Sequence, residues 1–281
     1  MSEPAFFAPE TLDGALQILS RGDCPKVLAG GTDLWPQWAA GDAPRPEQVL
    51  SLHRLAGMRQ IYIEDERLRI GATATHAEVV RSQEVARCCP AVAEAAATIG
   101  AMQIQNRGTV GGNLVNASPA ADLPPPLVAA GAEVELVSLR GVRRVALDAF
   151  YLGYRKIDLR PDELLAAVLV PPLPAGAREH FRKVGTRRAQ AISKVMGACR
   201  LELNDDGRIV RAGVAFGSVA PVVLRAVVLE QWLEGRQADA ETAAEAERRA
   251  SALVQPIDDL RSSADYRRYI VGRLIKNWIL G

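Results

Sequence analysis

TVGGNLVNASPAADLPPPL, Thr109 to Leu127, packs a Gly pair, two Asn, a Ser-Pro, an Asp and three consecutive Pro into nineteen residues. The stretch is too irregular for a helix or a strand, and its edges are too apolar for a solvated linker. A long ordered loop inside a compact domain is usually functional. Gly111 and Gly112 let backbone approach a ligand closely, because no Cβ stands in the way. We therefore expect a loop that wraps a large anionic ligand. Its donors would be the glycine N–H groups and the side chains of Thr109 and Asn113. Asp122 can accept from a ligand hydroxyl or hold the loop together. Pro124, Pro125 and Pro126 are expected to fix the exit rigidly.

About eighty residues upstream stands a second Gly pair, in Lys26-Val27-Leu28-Ala29-Gly30-Gly31-Thr32-Asp33-Leu34. Lys26 to Ala29 reads as a short buried strand that Gly30-Gly31 stops. Thr32 and Asp33 are good caps for a following turn. Taken alone, this is a plain strand-to-turn. Taken with the first stretch, two such turns could grip the two phosphates of a dinucleotide.

The flanking pattern is mixed α and β. Thr11 to Ser20 reads as a helix with Leu12, Ala15, Leu16 and Leu19 on one face. Val49 to Leu52 is a strand. Ile61–Ile63 and Leu68–Ala72 form a hairpin across the charged turn 64–67. Thr75 and Glu78 have capping-box spacing, predicting a helix over 78–87, and Pro90 to Ile99 is a second, Ala-rich helix ahead of Gly100. Ala132–Ser138 and Val142–Ala146 are strands, Asp148 to Tyr151 starts a turn, and Leu164–Val170 is a buried strand. Pro171 to Ala177, PPLPAGA, is the best linker candidate. Beyond it, Glu179–Val184, Val195–Leu203 and Ile209–Gly217 read as antiparallel strands. The chain is expected to be helical from Leu224, with helices over 238–254 and 263–280. The architecture is α+β in two parts.

Composition narrows the function. The chain has 281 residues, 48% hydrophobic and 24% charged, with a net charge of +1. That balance gives no general nucleic-acid surface. No apolar run reaches the roughly 20 residues needed to span a bilayer. The N-terminus lacks a basic signal region, and Cys24, Cys88, Cys89 and Cys199 form no CxxC, so a reduced, cytoplasmic chain with no iron–sulfur cluster of its own is expected. His53, His76 and His180 show no metal-ligand spacing and read as surface or packing histidines. GxGxxG, Walker A, GxSxG and HExxH are all absent. No residue is assigned a catalytic role, and no metal ligand is expected.

Four segments carry a resemblance: KVLAGGTDL at 26–34, IGATATHAEV at 70–79, TIGAMQIQNRGTVGGNLVNASPAADLPPPL at 98–127 and FRKVGTRRAQAISKV at 181–195. They closely resemble the FAD-binding medium subunit of the molybdenum hydroxylases, the group of xanthine dehydrogenase, carbon monoxide dehydrogenase and 4-hydroxybenzoyl-CoA reductase. The resemblance covers nearly the whole chain, and the long TxGGNxxxASPxxDxxPxL pattern is its most specific part. It implies a two-part FAD-binding domain of the PCMH type over 1–175, with subdomains of about 1–55 and 56–175. A C-terminal α+β domain of the CO dehydrogenase flavoprotein type, with an antiparallel sheet and terminal helices, would occupy 176–281.

The resemblance also implies a cofactor, FAD, and partners. These are a small subunit with 2Fe-2S clusters and a large subunit with molybdopterin, electrons passing through FAD to NAD or oxygen. Carried over residue by residue, Val27, Leu28, Ala29, Gly30, Gly31, Thr32, Asp33 and Leu34 form the first pyrophosphate-and-ribityl loop. Thr109, Gly111, Gly112 and Asn113 form the second, with Asn116 close behind. Asp122 matches an acidic FAD contact. Ile99 and Leu165 fall where apolar residues cover the isoalloxazine. Lys183 matches a basic residue at the flavin's polar end, its alternative being a strand-edge lysine. The loop 187–194, with Ala189, Gln190 and Ile192 where relatives often place an acid or an aromatic, would lie at the reactive edge. Two other readings are a stand-alone flavin oxidoreductase and a FAD-less assembly module of the same fold.

Overall fold

A short strand, β1 (Ala5–Phe7), leads to helix α1 (Leu12–Ser20) in the computed structural model, which describes residues 4–187 and 190–281. Thr11 starts α1 by accepting a hydrogen bond from the Gly14 N–H at 3.2 Å, and Ala15, Leu16 and Leu19 are buried as the periodicity requires. Strand β2 (Lys26–Leu28), helix α2 (Leu34–Ala40) and β3 (Gln48–Ser51) follow. The three strands make a small parallel sheet in the order β1-β3-β2. Strand β2 stops one residue short of the expected Ala29. Leu28, Trp38 and Val49 form a small core of their own between α2 and the sheet.

Strands β4 (Ile61–Glu64) and β5 (Arg67–Gly71) pair as the expected hairpin. Its tight turn places Asp65 and Glu66 at φ 47° and 60°, the left-handed pair that matches the strands' twist. The capping box is present at Thr75 and Glu78, but the single helix expected over 78–87 is two, α3 (His76–Arg81) and α4 (Gln83–Cys88). Ser82 breaks it. Its backbone is extended (φ −72°, ψ 125°) and its hydroxyl accepts from the Val85 N–H at 3.2 Å, the local bond that lets serine compete with helix. Helix α5 (Pro90–Ala97) is as expected, and a short α6 (Met102–Gln105) follows.

The stretch 109–127, read from sequence as one irregular loop, is a pair of short helices around an irregular segment. Helix α7 (Val110–Val115) is capped by Thr109, and α8 (Pro124–Ala129) begins on the prolines. Proline fits there because the first helical N–H groups need no intrahelical partner. The three prolines are therefore a helix start, buried in the core, rather than a rigid loop exit. Strands β6 (Glu133–Ser138) and β7 (Gly141–Ala146) form a hairpin. The expected turn at 148–151 is a single helical turn, α9 (Leu147–Phe150), ahead of a small hairpin of β8 (Tyr151–Gly153) and β9 (Lys156–Ile157). Strand β10 (Leu164–Val170) is buried along its whole length and sits at the centre of a five-stranded antiparallel sheet, β4-β5-β10-β6-β7.

After the proline-rich connection come β11 (Arg178–Val184), β12 (Val195–Leu203) and β13 (Ile209–Gly217), antiparallel neighbours as read. The chain is not yet helical at Leu224. A two-residue strand, β14 (Leu224–Arg225), pairs with Ala215 and Phe216 before α10 (Val227–Leu233) begins. Helices α11 (Ala240–Leu253) and α12 (Ala264–Leu280) finish the chain. Side chains from α10, α11 and α12 share a core with Val214 and Phe216 on one face of this sheet. Across it lies α8, so close that a Cβ on Gly213 would stand 2.0 Å from the Ala129 carbonyl oxygen. The main core runs through this seam, since Ala198 and Ala215 pack with residues of the first 170. Arg200 secures it. Its buried guanidinium pairs with Glu179 at 2.6 Å and donates to the carbonyls of Pro171, Pro172 and Cys88. The fold is α+β as expected. Among the described residues no helix is long and apolar enough to cross a membrane.

Candidate functional site

The two Gly pairs, far apart in sequence, belong to turns that touch. A Cβ on Gly30 would lie 1.9 Å from the Arg107 carbonyl oxygen and 3.0 Å from Gly108 Cα. The turn after β2 therefore rests on the two residues that precede Thr109, and only glycine allows it. Gly31 sits at φ 73°, with the Trp35 indole occupying the space a Cβ would take. The N–H groups of Gly30, Gly31, Thr32 and Asp33 donate to no acceptor among the described residues. Four consecutive unmatched amides, one of them on the left-handed Gly31, leave donors of the kind that can receive an anion. Asp33 stands at the start of α2 but makes no side-chain cap; its carboxylate accepts from Gln37 Nε2 at 2.6 Å. Val27 and Leu28 lie on β2, and the Leu28 side chain is spent in packing. Ala29 and Leu34 bracket the turn.

The second turn works differently from the sequence expectation. Gly111 N–H donates to the Ala72 carbonyl at 2.7 Å, and Gly112 N–H to Thr109 Oγ1 at 3.1 Å. Asn113 N–H donates to the Thr109 carbonyl at 3.0 Å. These amides are occupied inside the fold, so they are not the expected phosphate donors. Gly111 is needed instead for contact with β5's end, since its Cβ would stand 2.8 Å from that of Ala72. What this turn can offer a ligand is side chains. The Oδ1 of Asn113 is buried and has no partner. Asn116 Oδ1 is engaged, accepting from Arg155 Nη1 at 3.3 Å. Beneath the turn, a Cβ on Gly108 would come within 3.0 Å of the His76 ring. Burial lowers the His76 pKa to about 4, so the imidazole is neutral there.

A second cluster forms where β11 meets the segment after α7. Lys183 Nζ donates to Asp122 Oδ2 at 2.6 Å and to the Thr98 carbonyl at 3.1 Å. Both side chains are largely buried, so Lys183 is no solvated strand-edge lysine. The other carboxylate oxygen, Asp122 Oδ1, is buried without a partner. Burial pushes the Asp122 carboxyl up to about 6, against the pull of the Lys183 charge and its hydrogen bond. Ile99 follows Thr98, half-buried against the main core, and Gln105 Nε2 fixes its carbonyl at 3.1 Å. Leu165 is buried on β10 at an irregularity in its pairing with β6. Its neighbour Ala166 accepts from the N–H of Ala72, the residue that carries Gly111.

The loop between β11 and β12 is closed at its base by the Lys194 N–H donating to the Val184 carbonyl at 2.7 Å. Arg187 donates twice to the Gln190 carbonyl, and Gln190 sits at φ 51°. Ile192 is exposed, and Ala189 lies outside the described residues.

These features suit a flavin dinucleotide. The amides of one turn are unmatched, close glycine packing holds that turn against the residues ahead of Thr109, and two buried oxygens, on Asn113 and Asp122, lack partners. Sequence reasoning missed Trp35, Gln105 and the backbone of Arg107. Trp35 was legible as an aromatic just past the Gly turn. The other two gain meaning only from contacts between distant segments.

Comparison with known proteins agrees. Residues 2–173 match the FAD binding domain in molybdopterin dehydrogenase, and residues 180–280 match the CO dehydrogenase flavoprotein C-terminal domain. A putative xanthine dehydrogenase FAD-binding subunit of Escherichia coli (strain K12) is 33% identical over 96% of this chain and 92% of its own. The nicotine 6-hydroxylase medium subunit of Paenarthrobacter nicotinovorans is 30% identical over 98% and 95%. A solved carbon monoxide dehydrogenase from Hydrogenophaga pseudoflava superposes with a TM-score of 0.93, at 29% identity, over 99% of this chain and 96% of that one.

Proposed function

The chain belongs to the FAD-binding subunits of the molybdopterin dehydrogenase family, and from that membership we propose how it works within an oxidoreductase. It is the electron-transfer subunit of a heteromeric molybdenum hydroxylase. It receives electrons from 2Fe-2S clusters on a small subunit, which are supplied in turn by a molybdopterin-bearing large subunit. It delivers them to an external acceptor such as NAD or oxygen. The flavin supplies the electron-accepting and electron-donating chemistry when bound.

The chain's own residues bind, orient and shield. The amides of Gly30, Gly31, Thr32 and Asp33 would hold a phosphate, with the Thr109 hydroxyl and Asn113 alongside. Asp122 would use its free oxygen as an acceptor for a ligand N–H or O–H, while Lys183 sets positive charge at the polar edge of the ring. Ile99 and Leu165 would exclude water from its faces. The loop 187–194 would flank the acceptor's approach. We divide the chain into a FAD-binding domain, 1–175, and a C-terminal domain, 176–281. A cytoplasmic location suits its four free cysteines.

The observation that carries this reading is the contact of Gly30 with Arg107, which joins the unmatched amides to the Thr109 turn. The test is to purify the chain, alone and with its co-expressed neighbours. Stoichiometric FAD and a small and a large partner are expected. A chain that takes up no flavin, or a homomer that turns over an organic substrate unaided, would overturn the reading.

A further inference from the structure

Away from the Gly turns, the end of α10, Arg208 and the first turns of α11 border an open surface pocket of about 690 Å³. That is within the range of roughly 300–1,000 Å³ typical of small-molecule sites. Its lining is basic: Arg208, Arg236, Arg248 and Arg249 face only two acids, Glu241 and Glu245. Four positive against two negative charges leave +2 in one concavity, although the whole chain carries +1.

Three of these guanidiniums are already held. Arg236 stacks over the Trp232 ring at 4.2 Å and donates from Nε to the Trp232 carbonyl at 2.7 Å. Arg249 lies over the same ring at 4.6 Å, and Arg208 donates to the Gly235 carbonyl at 3.0 Å. A guanidinium fixed on an aromatic face keeps N–H groups along its edge, in the fork that suits two oxygens of one anion. Glu245 is shared by Arg248 and Arg249 in partly exposed pairs. Such pairs contribute little, so an incoming oxyanion can displace them.

We propose that this cavity binds a small molecule bearing two or more phosphate groups. Several forked donors gathered in a pocket of limited volume fit a compact polyanion better than an extended acidic chain. None of the lining residues is among those proposed to hold the flavin, and α10 and α11 pack on one face of the C-terminal sheet while α8 approaches across the other.

The test is calorimetric titration of the full-length chain, with its flavin bound, against inorganic pyrophosphate and tripolyphosphate. One site per chain is expected, tighter for the more charged anion and weakened by added salt. Arg236→Ala and Arg249→Ala should each weaken binding about tenfold or more, and Arg236→Lys should recover only part of it. Arg45→Ala, on the opposite part of the sequence and outside the cavity, should leave it unchanged. Arg248→Ala, at an exposed side chain, serves where a stacked arginine proves necessary for folding, which flavin content and circular dichroism report. Absence of binding at millimolar anion, or binding that all these variants leave intact, overturns the proposal. So does binding of a poly-glutamate peptide in place of pyrophosphate, which would make the surface a protein-docking face.

Discussion

Lys183 Nζ lies 2.6 Å from Asp122 Oδ2, joining strand β11 to the segment between α7 and α8. With the Ser218 N–H donating to the Pro119 carbonyl at 2.9 Å, this contact ties the C-terminal sheet to the segment ahead of α8. It also leaves Asp122 Oδ1 buried and unpartnered. Neither fact follows from either residue's local sequence, because the two stand far apart in the chain.

The pair gives a pH prediction. Burial raises the Asp122 carboxyl from 3.8 to about 6. The folded state therefore holds its proton to higher pH than the unfolded state does. Stability from this group is present below about pH 4 and lost as pH rises through 6. Two units correspond to about 3 kcal/mol. Asp122→Asn keeps the shape and does not titrate. Relative to wild type, the flavin-free variant should gain stability between pH 4 and 7, read by denaturant unfolding at several pH values. A difference that stays flat over that range counts against the assignment.

The touching turns give a second. Gly30→Ala places a methyl 1.9 Å from the Arg107 carbonyl oxygen, which backbone cannot relieve locally. The turns must separate. A loss of about 1–3 kcal/mol is expected from overpacking, with a lower FAD-to-protein ratio after purification. Normal flavin content in a folded variant would mean that the contact does not shape the cradle.

Gly111 and Gly112 should part company, although they are adjacent. Alanine at 111 would press on the Ala72 Cβ and carbonyl, both fixed at the end of β5. Alanine at 112 would meet only the Thr109 hydroxyl, at 2.9 Å, and Gly112 is exposed. Gly111→Ala should therefore lower the unfolding midpoint substantially. Gly112→Ala should lower it little and show its effect in flavin retention. Equal loss of stability in both would show the second turn to be packed on all sides.

How much was legible depended on how local the cause was. The Thr11 cap, the Thr75–Glu78 box and the 61–72 hairpin were read correctly because each is decided within a few residues. The Thr109–Leu127 stretch was misread because its first helix is held from outside: Val110 N–H donates to Ala74 and Gly111 N–H to Ala72. Composition alone showed the glycines and prolines but not these acceptors. The same contacts removed the glycine amides from the donor set. The unmatched amides turned out to be at Gly30 to Asp33, the stretch whose sequence signal was weaker.

Arg200 carries a prediction about the seam. Its guanidinium and Glu179 are both buried, and Glu179 also accepts from the Ala91 N–H at 3.0 Å. Arg200→Ala leaves that carboxylate buried without its cation and takes a donor from the Pro171 and Pro172 carbonyls, while the Cys88 carbonyl still accepts from the Leu173 N–H. A loss of about 3–5 kcal/mol is expected. The double variant Arg200→Met with Glu179→Leu should recover most of it, because two apolar groups leave no uncompensated charge. If the double variant is no more stable than the single one, the carbonyl bonds to Pro171, Pro172 and Cys88 matter more than the ion pair.

His76 gives the opposite pH behaviour to Asp122. Its backbone N–H donates to the Gly108 carbonyl, its ring lies under Gly108, and Nδ1 is buried without a partner. Burial lowers its pKa from 6.5 to about 4. The unfolded chain takes up a proton below pH 6.5 that the folded chain refuses, so this contribution is complete above 6.5 and lost as pH falls through 4. The span corresponds to about 3 kcal/mol. His76→Phe removes the titration while keeping a flat ring under Gly108. Between pH 7 and 4 the variant should lose less stability than wild type, and the Asp122→Asn variant should lose more. Because the two effects run in opposite directions, unfolding curves for both single variants and the double variant separate them. Matching acid sensitivity in His76→Phe and wild type would mean that the ring is solvated in the folded chain, and that the turn above it is looser than the Gly108 contact implies.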